Sequence, residues 1–89
     1  MTYAVVWNMA AIRQLNMVVA AAAVPVLVQE AARAVDYNLR RMPTDLGESR
    51  EPGVRLWYGD VLGVYFLVDD AALRVTVVAV GPARRPRRR

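Results

Sequence analysis

The longest strand-like stretch in this chain of 89 residues is Gly53 to Val80, GVRLWYGDVLGVYFLVDDAALRVTVVAV. The stretch is dense in valine, leucine and aromatic residues, which favour β-strands. Gly59-Asp60 and Asp69-Asp70 interrupt it with residues typical of tight turns. The pattern therefore predicts three consecutive strands in an antiparallel meander.

The turn at Gly59-Asp60 also predicts a register for the first two strands. A two-residue loop there would give three cross-strand pairs: Tyr58 with Val61, Trp57 with Leu62, and Arg55 with Val64. Side chains alternate across a strand, so one face would carry Val54, Leu56, Tyr58, Val61, Gly63, Tyr65 and Leu67, and the other Arg55, Trp57, Leu62, Val64, Phe66 and Val68. Both faces are largely apolar, and the rest of the chain is long enough to cover only one.

The first half of the chain supplies that cover. Tyr3 to Trp7 is an apolar β-branched run typical of a strand, and Asn8 is a suitable N-cap for a helix from Met9 to Ala22. A second helix is predicted from Pro25 to Arg41, because proline fits the first turn of a helix. The segment from Met42 to Pro52 is predicted as a loop. The fold class is therefore α+β in the order βααβββ, with a helical hairpin on one face of an antiparallel four-stranded sheet.

The positive charge of the chain is concentrated in its last eight residues. All twelve basic residues are arginine, and the net charge is +4. Five of these arginines lie in the last six positions: Arg84, Arg85, Arg87, Arg88 and Arg89. The sequence thus predicts a single near-neutral domain over residues 1–81 and a flexible arginine-rich tail over residues 82–89. Such a tail suits contact with phosphates, although it can also serve only as a solvated end.

Cysteine and histidine are both absent. Their absence excludes disulfides, thiolate metal sites, imidazole bases and His-ligated zinc, so no metal and no cofactor is expected. No run approaches the eighteen or so apolar residues of a membrane span, and no signal peptide is recognisable. We therefore expect a cytoplasmic protein that does not enter a membrane.

The order of elements and several short segments resemble the RelE/ParE family, toxins of bacterial type II toxin–antitoxin systems. The resemblance covers about Tyr3 to Gly81 and rests on these segments: a first strand ending in Trp7, a helix with Ala11 and Leu15, Leu39-Arg40-Arg41-Met42-Pro43, Gly47-Glu48-Ser49-Arg50, Gly53-Val54-Arg55-Leu56, Leu62 to Asp69, and Val75 to Gly81. It implies a sheet with a helical hairpin on one face and an exposed concave surface on the other. It also implies a growth-inhibiting toxin with a cognate antitoxin as its partner.

The resemblance assigns roles to individual arginines. RNA-cutting members resembling RelE use basic residues on the strand that here holds Arg55, and an arginine just after the final Val-Gly, which here corresponds to Arg84 one residue late. Arg55 and Arg84 are therefore the predicted catalytic residues. The residues predicted to bind nucleic acid are Arg50 and the other tail arginines, Arg85, Arg87, Arg88 and Arg89. The chain departs from the pattern at Leu62, where such members have arginine, and no tyrosine follows Gly81.

The residues themselves leave alternatives open. Arg55 is either a phosphate contact or a structural partner of Asp69 or Glu51. Arg50 also suits a surface ion pair with Glu48 or Glu51. Aromatic residues of the meander are candidates for stacking on bases, but more often form a core or an interface. Because no third helix exists to cover it, the face with Trp57, Leu62, Val64 and Phe66 is predicted to be the exposed partner interface.

Three functions remain at this point. The first is translation inhibition by ribosome-dependent mRNA cleavage, a metal-independent endoribonuclease activity in which arginines stabilise charge on the phosphate while the RNA 2′-hydroxyl attacks. The second is inhibition of DNA gyrase without cleavage, as in ParE. The third is a non-catalytic binding or regulatory role. Arg55 together with a basic C-terminus favours the first.

Overall fold

A computed structural model describes residues 2–59 and 61–83 of the chain. Two helices and five strands follow one another in an α+β arrangement. In chain order they are β1 (Ala4–Trp7), α1 (Met9–Ala21), α2 (Pro25–Arg41), β2 (Glu48–Glu51), β3 (Val54–Tyr58), β4 (Leu62–Asp69) and β5 (Arg74–Pro82), with a short 3₁₀ turn at Pro43–Asp45 before β2. The α+β class and the helical hairpin on one face of the sheet are confirmed.

The sheet has one strand more than predicted and is mixed. Its strand order is β1-β5-β4-β3-β2, in which β1 is parallel to β5 and all other neighbours are antiparallel. The parallel pair follows from the helices between β1 and the meander, since parallel strands need a long crossover. The additional strand, β2, lies in the segment predicted as a loop. Its sequence, Glu-Ser-Arg-Glu, is exposed throughout because β2 is an edge strand, so it has no apolar alternation to reveal it.

Helix α1 begins where the sequence predicts. The Asn8 side chain accepts a hydrogen bond from the Ala11 amide at 2.9 Å, which satisfies one of the free donors of the first turn. Helix α2 has Pro25 in its first turn and ends at Arg41, just before Pro43. Both helices pack on the same face of the sheet around this core: Ala11, Val28, Val35, Leu39, Leu62, Val64, Phe66, Val75, Val77 and Val80.

The β3–β4 hairpin closes one residue later than predicted. Gly59 N donates to Leu62 O at 2.8 Å, and the observed pairs are Tyr58 with Gly63, Trp57 with Val64, and Arg55 with Phe66. The register is therefore displaced by two residues from the predicted one. Because a displacement of two returns each side chain to its original face, the predicted division of β3 and β4 into two faces still holds.

The prediction of which face stays uncovered is wrong. Leu62, Val64 and Phe66 are at most 1% exposed beneath the helices, and Trp57 packs partly buried against the same core. These side chains fill the space between sheet and helices, whereas the opposite face carries Tyr58 and Tyr65, whose hydroxyl groups favour contact with water. The uncovered surface, here named the open face, consists of Val6, Leu56, Tyr58, Gly63, Tyr65, Leu67, Thr76 and Ala79.

Candidate functional site

The open face is an apolar surface with two exposed aromatic rings. Tyr58 is 58% exposed, Tyr65 40% and Leu67 41%, whereas Leu56 between them is buried. Charged side chains on this side of the sheet lie at its margins, where Glu48 pairs with Leu56 on β3 and Arg74 pairs with Asp69 on β4. An apolar surface of this kind on a small domain marks an interaction site.

A hollow of about 260 Å³ lies within the open face near the end of β5. Tyr58, Tyr65 and Pro82 line it, with Gly63 and Ala79 among the other contributors. The β5 backbone is irregular here, because the pairing with β4 shifts between Tyr65 and Phe66. Such a bulge redirects side chains near a binding surface. Two aromatic rings thus border a recess at the place where the last strand ends.

Arg55 does not belong to this surface. It pairs with Phe66, whose side chain lies on the helix-covered side of the sheet. Arg55 Nε donates to the Leu46 carbonyl at 2.8 Å, and Nη2 donates to the Gly47 carbonyl at 3.1 Å. The anticipated structural alternative was Asp69 or Glu51, but the observed acceptors are backbone carbonyls of the segment leading into β2. The guanidinium therefore holds in place the backbone segment directly before the edge strand β2.

The other predicted arginines are divided between the edge strand and the tail. Arg50 Nη1 lies 3.9 Å from Glu48 Oε1, and both side chains are exposed, so the pair contributes little stability. Arg84, Arg85, Arg87, Arg88 and Arg89 lie outside the described residues. Strand β5 continues to Pro82, and Ala83 N donates to the Val61 carbonyl at 2.9 Å. The described chain thus ends beside the β3–β4 turn.

The meander also borders a second recess on the opposite side of that turn. This recess, here named the α2 groove, measures about 590 Å³ and runs between α2 and the β3–β4 hairpin. Leu27, Glu30, Ala31, Ala34, Val35 and Asn38 line it from α2; Trp57, Tyr58, Gly59, Val61 and Leu62 line it from the hairpin. No sequence pattern indicates this groove, because its walls come from segments far apart in the chain.

The pKa of the Tyr3 hydroxyl is displaced by a neighbouring carboxylate. The hydrogen bond from the Tyr3 hydroxyl to Asp70 Oδ1, at 2.6 Å, raises the pKa of Tyr3 above the ordinary value of 10.0. That bond joins the N-terminal segment to the β4–β5 turn. Within the described ranges no three acidic side chains come close enough together to hold a metal ion. Neither α1 nor α2 is long and apolar enough to cross a membrane.

The architecture is that of a small α+β domain with two helices on one side of a mixed sheet. Three solved structures share it: the toxin–antitoxin complex RelBE2 from Mycobacterium tuberculosis, the intact RelBE toxin–antitoxin complex of E. coli, and the chromosomal ParDE toxin–antitoxin system of P. aeruginosa. The chain of RelBE2 has a TM-score of 0.75 and 20% identity, over 92% of this chain and 99% of that one.

The RelBE chain gives a TM-score of 0.67 at 15% identity over 93% of this chain and 99% of that one. The ParDE chain also gives 0.67 at 15% identity, over 92% and 97%. No protein family or curated protein matches the sequence itself. The chain therefore has the fold of the RelE/ParE toxins.

Proposed function

We propose that this chain is the growth-inhibiting toxin of a type II toxin–antitoxin system and that it acts in the cytoplasm. The shared fold supports the class, because the similar structures are toxin–antitoxin complexes and this chain spans nearly the whole length of the chains it matches in them. The open face supports a binding role. Tyr58, Tyr65 and Leu67 expose apolar surface that no other element within the described ranges covers.

The target that the geometry favours is RNA, with ribosome-bound mRNA as the substrate. The observation that carries this proposal is the hollow between Tyr58 and Tyr65 at the end of β5. The five arginines of residues 84–89 follow shortly after β5 in the sequence. Aromatic rings stack on unpaired bases, and guanidinium groups contact the phosphates between them. The arginines would also stabilise charge on a phosphate as its neighbouring 2′-hydroxyl loses its proton and attacks, while the P–O5′ bond breaks and the departing 5′-oxygen takes up a proton.

Arg84 remains the arginine proposed for that step, and Arg50 at the sheet edge and the other tail arginines remain proposed phosphate contacts. Arg55 has no part in it, because its guanidinium donates to the Leu46 and Gly47 carbonyls on the other side of the sheet. This removes one of the two groups that the sequence assigns to catalysis. Cleavage thus depends on the tail, whereas base stacking depends on the sheet.

DNA gyrase inhibition without cleavage is the second candidate. The observation in its favour is that the centre of the open face is apolar and its charges lie at the margins, which suits a protein surface better than a phosphodiester. The similarity to the ParDE system agrees with this possibility at the level of the fold. Under both candidates the proposed partner is a cognate antitoxin that covers the exposed apolar surface with a helix or an added strand.

Inducible expression in a bacterial host, with protein and DNA synthesis measured separately, tests the proposal. Rapid loss of protein synthesis with cut mRNA supports the first candidate, and DNA damage with filamentation supports the second. Normal growth with soluble, folded protein would overturn the assignment as a toxin.

The matched variants for this experiment are two exposed tyrosines. Tyr65→Ala removes an aromatic ring from the open face and should relieve growth inhibition. Tyr37→Ala removes an exposed ring from α2, away from that face, and should not. Equal toxicity of the two variants would exclude Tyr65 from target binding.

A further inference from the structure

Two alanines, Ala31 and Ala34, lie at the centre of the α2 wall of the α2 groove. Leu27, Ala31, Ala34 and Asn38 recur at helical spacing along α2 and form a continuous stripe of its lining. At 1.5 Å per residue this stripe is about 16 Å long. Leu27 and Ala34 are exposed, and Ala31 and Asn38 are partly exposed, so the stripe is accessible to a ligand. Its shape suits an extended peptide, because small side chains let a backbone approach closely.

The described chain ends at this groove. Ala83 N donates to the carbonyl of Val61, and Val61 is itself one of the residues that line the groove. Residues 84–89 therefore begin at its rim. Six extended residues span about 20 Å, which matches the length of the α2 stripe. Pro86 lies in the middle of the six, and proline favours the extended conformation that such a fit needs.

The groove also complements the tail in charge. Its lining contains one charged residue, Glu30, and no basic one. The Glu30 carboxylate has no ion-pair partner within residues 2–59 and 61–83. The opposite wall provides the rings of Trp57 and Tyr58. A guanidinium can pair with a carboxylate and lie flat on an aromatic ring, whereas its aliphatic stem covers apolar surface.

We propose that residues 84–89 dock in the α2 groove of their own chain, with arginines against Glu30 and the aromatic wall. The docked tail lies on the other side of the β3–β4 turn from the hollow of the open face. Its arginines are then withheld from phosphates near Tyr65. A phosphate-bearing ligand on the open face and the α2 groove thus compete for the same segment. The docking itself does not depend on what the target is.

Amide NMR spectra of the full chain test this proposal directly. The comparison is between the native chain and a variant in which all five tail arginines are glutamine. The amide signals of residues close in space to Ala83, such as Val61, will shift whether or not the tail docks. The informative signals are therefore those of Ala31 and Ala34 on α2. Docking predicts shifts at these two amides and at the Trp57 indole, with little change at Tyr65 or Thr76. Shifts confined to the open face or to the vicinity of Ala83 would overturn it.

Two further variants and a dilution series complete the design. Glu30→Gln should reproduce part of the α2 shifts, whereas Glu48→Gln, at the far edge of the sheet, should not. Raising the salt concentration from about 50 mM to about 500 mM should release the tail in the native chain, because it shortens the range of the charge attraction severalfold. The shifts should be independent of protein concentration. If they grow with concentration, the tail occupies the groove of a second copy and docking within one chain is excluded.

Discussion

The ring of Tyr58 lies over Gly63, its partner in the β3–β4 ladder. A Cβ atom at position 63 would lie 2.5 Å from Cδ1 and 2.6 Å from Cε1 of the ring. Gly63 is accordingly buried although it belongs to the open face. The missing side chain is what allows the ring to lie against the sheet, where it contributes to both the hollow and the α2 groove.

We therefore expect Gly63→Ala to displace the Tyr58 ring and to lower the free energy of unfolding by about 1–2 kcal/mol. Gly81→Ala is the matched control, because Gly81 pairs with Gly63 across β4 and β5, yet a methyl group at position 81 would meet no atom within 4 Å. Urea unfolding measures both. In a Tyr58→Ala background Gly63→Ala should cost much less, because no ring is left to displace, and additive effects of the two substitutions would contradict the contact.

Gly47 should tolerate substitution much less than Gly53. Both have positive φ, at 67° and 80°, but a Cβ at Gly47 would overlap the Leu56 carbonyl, whereas one at Gly53 would lie 3.7 Å from the nearest atom. We expect Gly47→Ala to cost about 3 kcal/mol or more and Gly53→Ala about 1 kcal/mol. Thermal unfolding followed by circular dichroism tests the order. Equal costs would mean that only the dihedral angle matters.

Arg55→Gln should loosen β2 without abolishing growth inhibition. The variant loses two charge-assisted hydrogen bonds to the Leu46 and Gly47 carbonyls, and we expect it to cost about 1–3 kcal/mol. Arg50→Gln, which disrupts only an exposed pair, should cost less than about 0.5 kcal/mol. Hydrogen exchange of the β2 amides gives the local measurement. If the Arg55→Gln chain is folded but no longer inhibits growth, Arg55 has a functional role beyond holding β2.

Truncating the two adjacent aromatic residues on β4 should lower the free energy of unfolding by very different amounts. Phe66 is fully buried under the helices, so Phe66→Ala should cost about 3–5 kcal/mol and leave much of the chain unfolded. Tyr65 is exposed on the open face, so Tyr65→Ala should cost less than about 1 kcal/mol. Guanidinium unfolding of the two variants checks which face is covered, and a larger cost at Tyr65 would reverse the assignment.

Stability should fall at alkaline pH partly through Tyr3. The hydrogen bond to Asp70 raises the pKa of Tyr3 in the folded chain above its value of 10.0 when unfolded, because it favours the protonated phenol. The resulting stabilisation is fully present below pH 10.0 and is lost as the pH rises through the folded pKa. Tyr3→Phe should therefore flatten the decline above that pH, measured by unfolding across a pH series. An unchanged decline would exclude the bond as its cause.

Local signals allowed the helices to be predicted closely. The Asn8 cap, Pro25 at a helix start and Pro43 after a helix end each act within one turn, and α1 and α2 differ from prediction by one residue at most. Strand β2 has no such signal. It forms because Gly47 and Gly53 bend the chain back along β3 and Arg55 holds its entry, and backbone carbonyl acceptors leave no trace in a sequence.

The candidate site was predicted less well than the fold. The two faces of β3 and β4 are similarly apolar, so periodicity divides the side chains correctly but does not tell which set the helices cover. That depends on how the helices pack on the sheet, with Phe66 in the core and Tyr58 and Tyr65 on the uncovered side. The hydrogen-bond acceptors of Arg55 were not predicted, for a related reason. A basic residue between apolar neighbours suggests a ligand, and only the fold shows that its partner is the chain itself.

The parallel pairing of β1 with β5 has a consequence for the timing of folding. Ala4 pairs with Arg74 and Trp7 with Val77, so the first strand made has no neighbour in the sheet until the last strand has been synthesised. Contacts this distant in sequence form late, and during translation they must wait for the C-terminal segment to leave the ribosome. The hollow near Tyr65 also needs Ala79 and Pro82 from that final strand. A chain proposed to block translation is thus kept from completing its binding surface until β5 has left the ribosome.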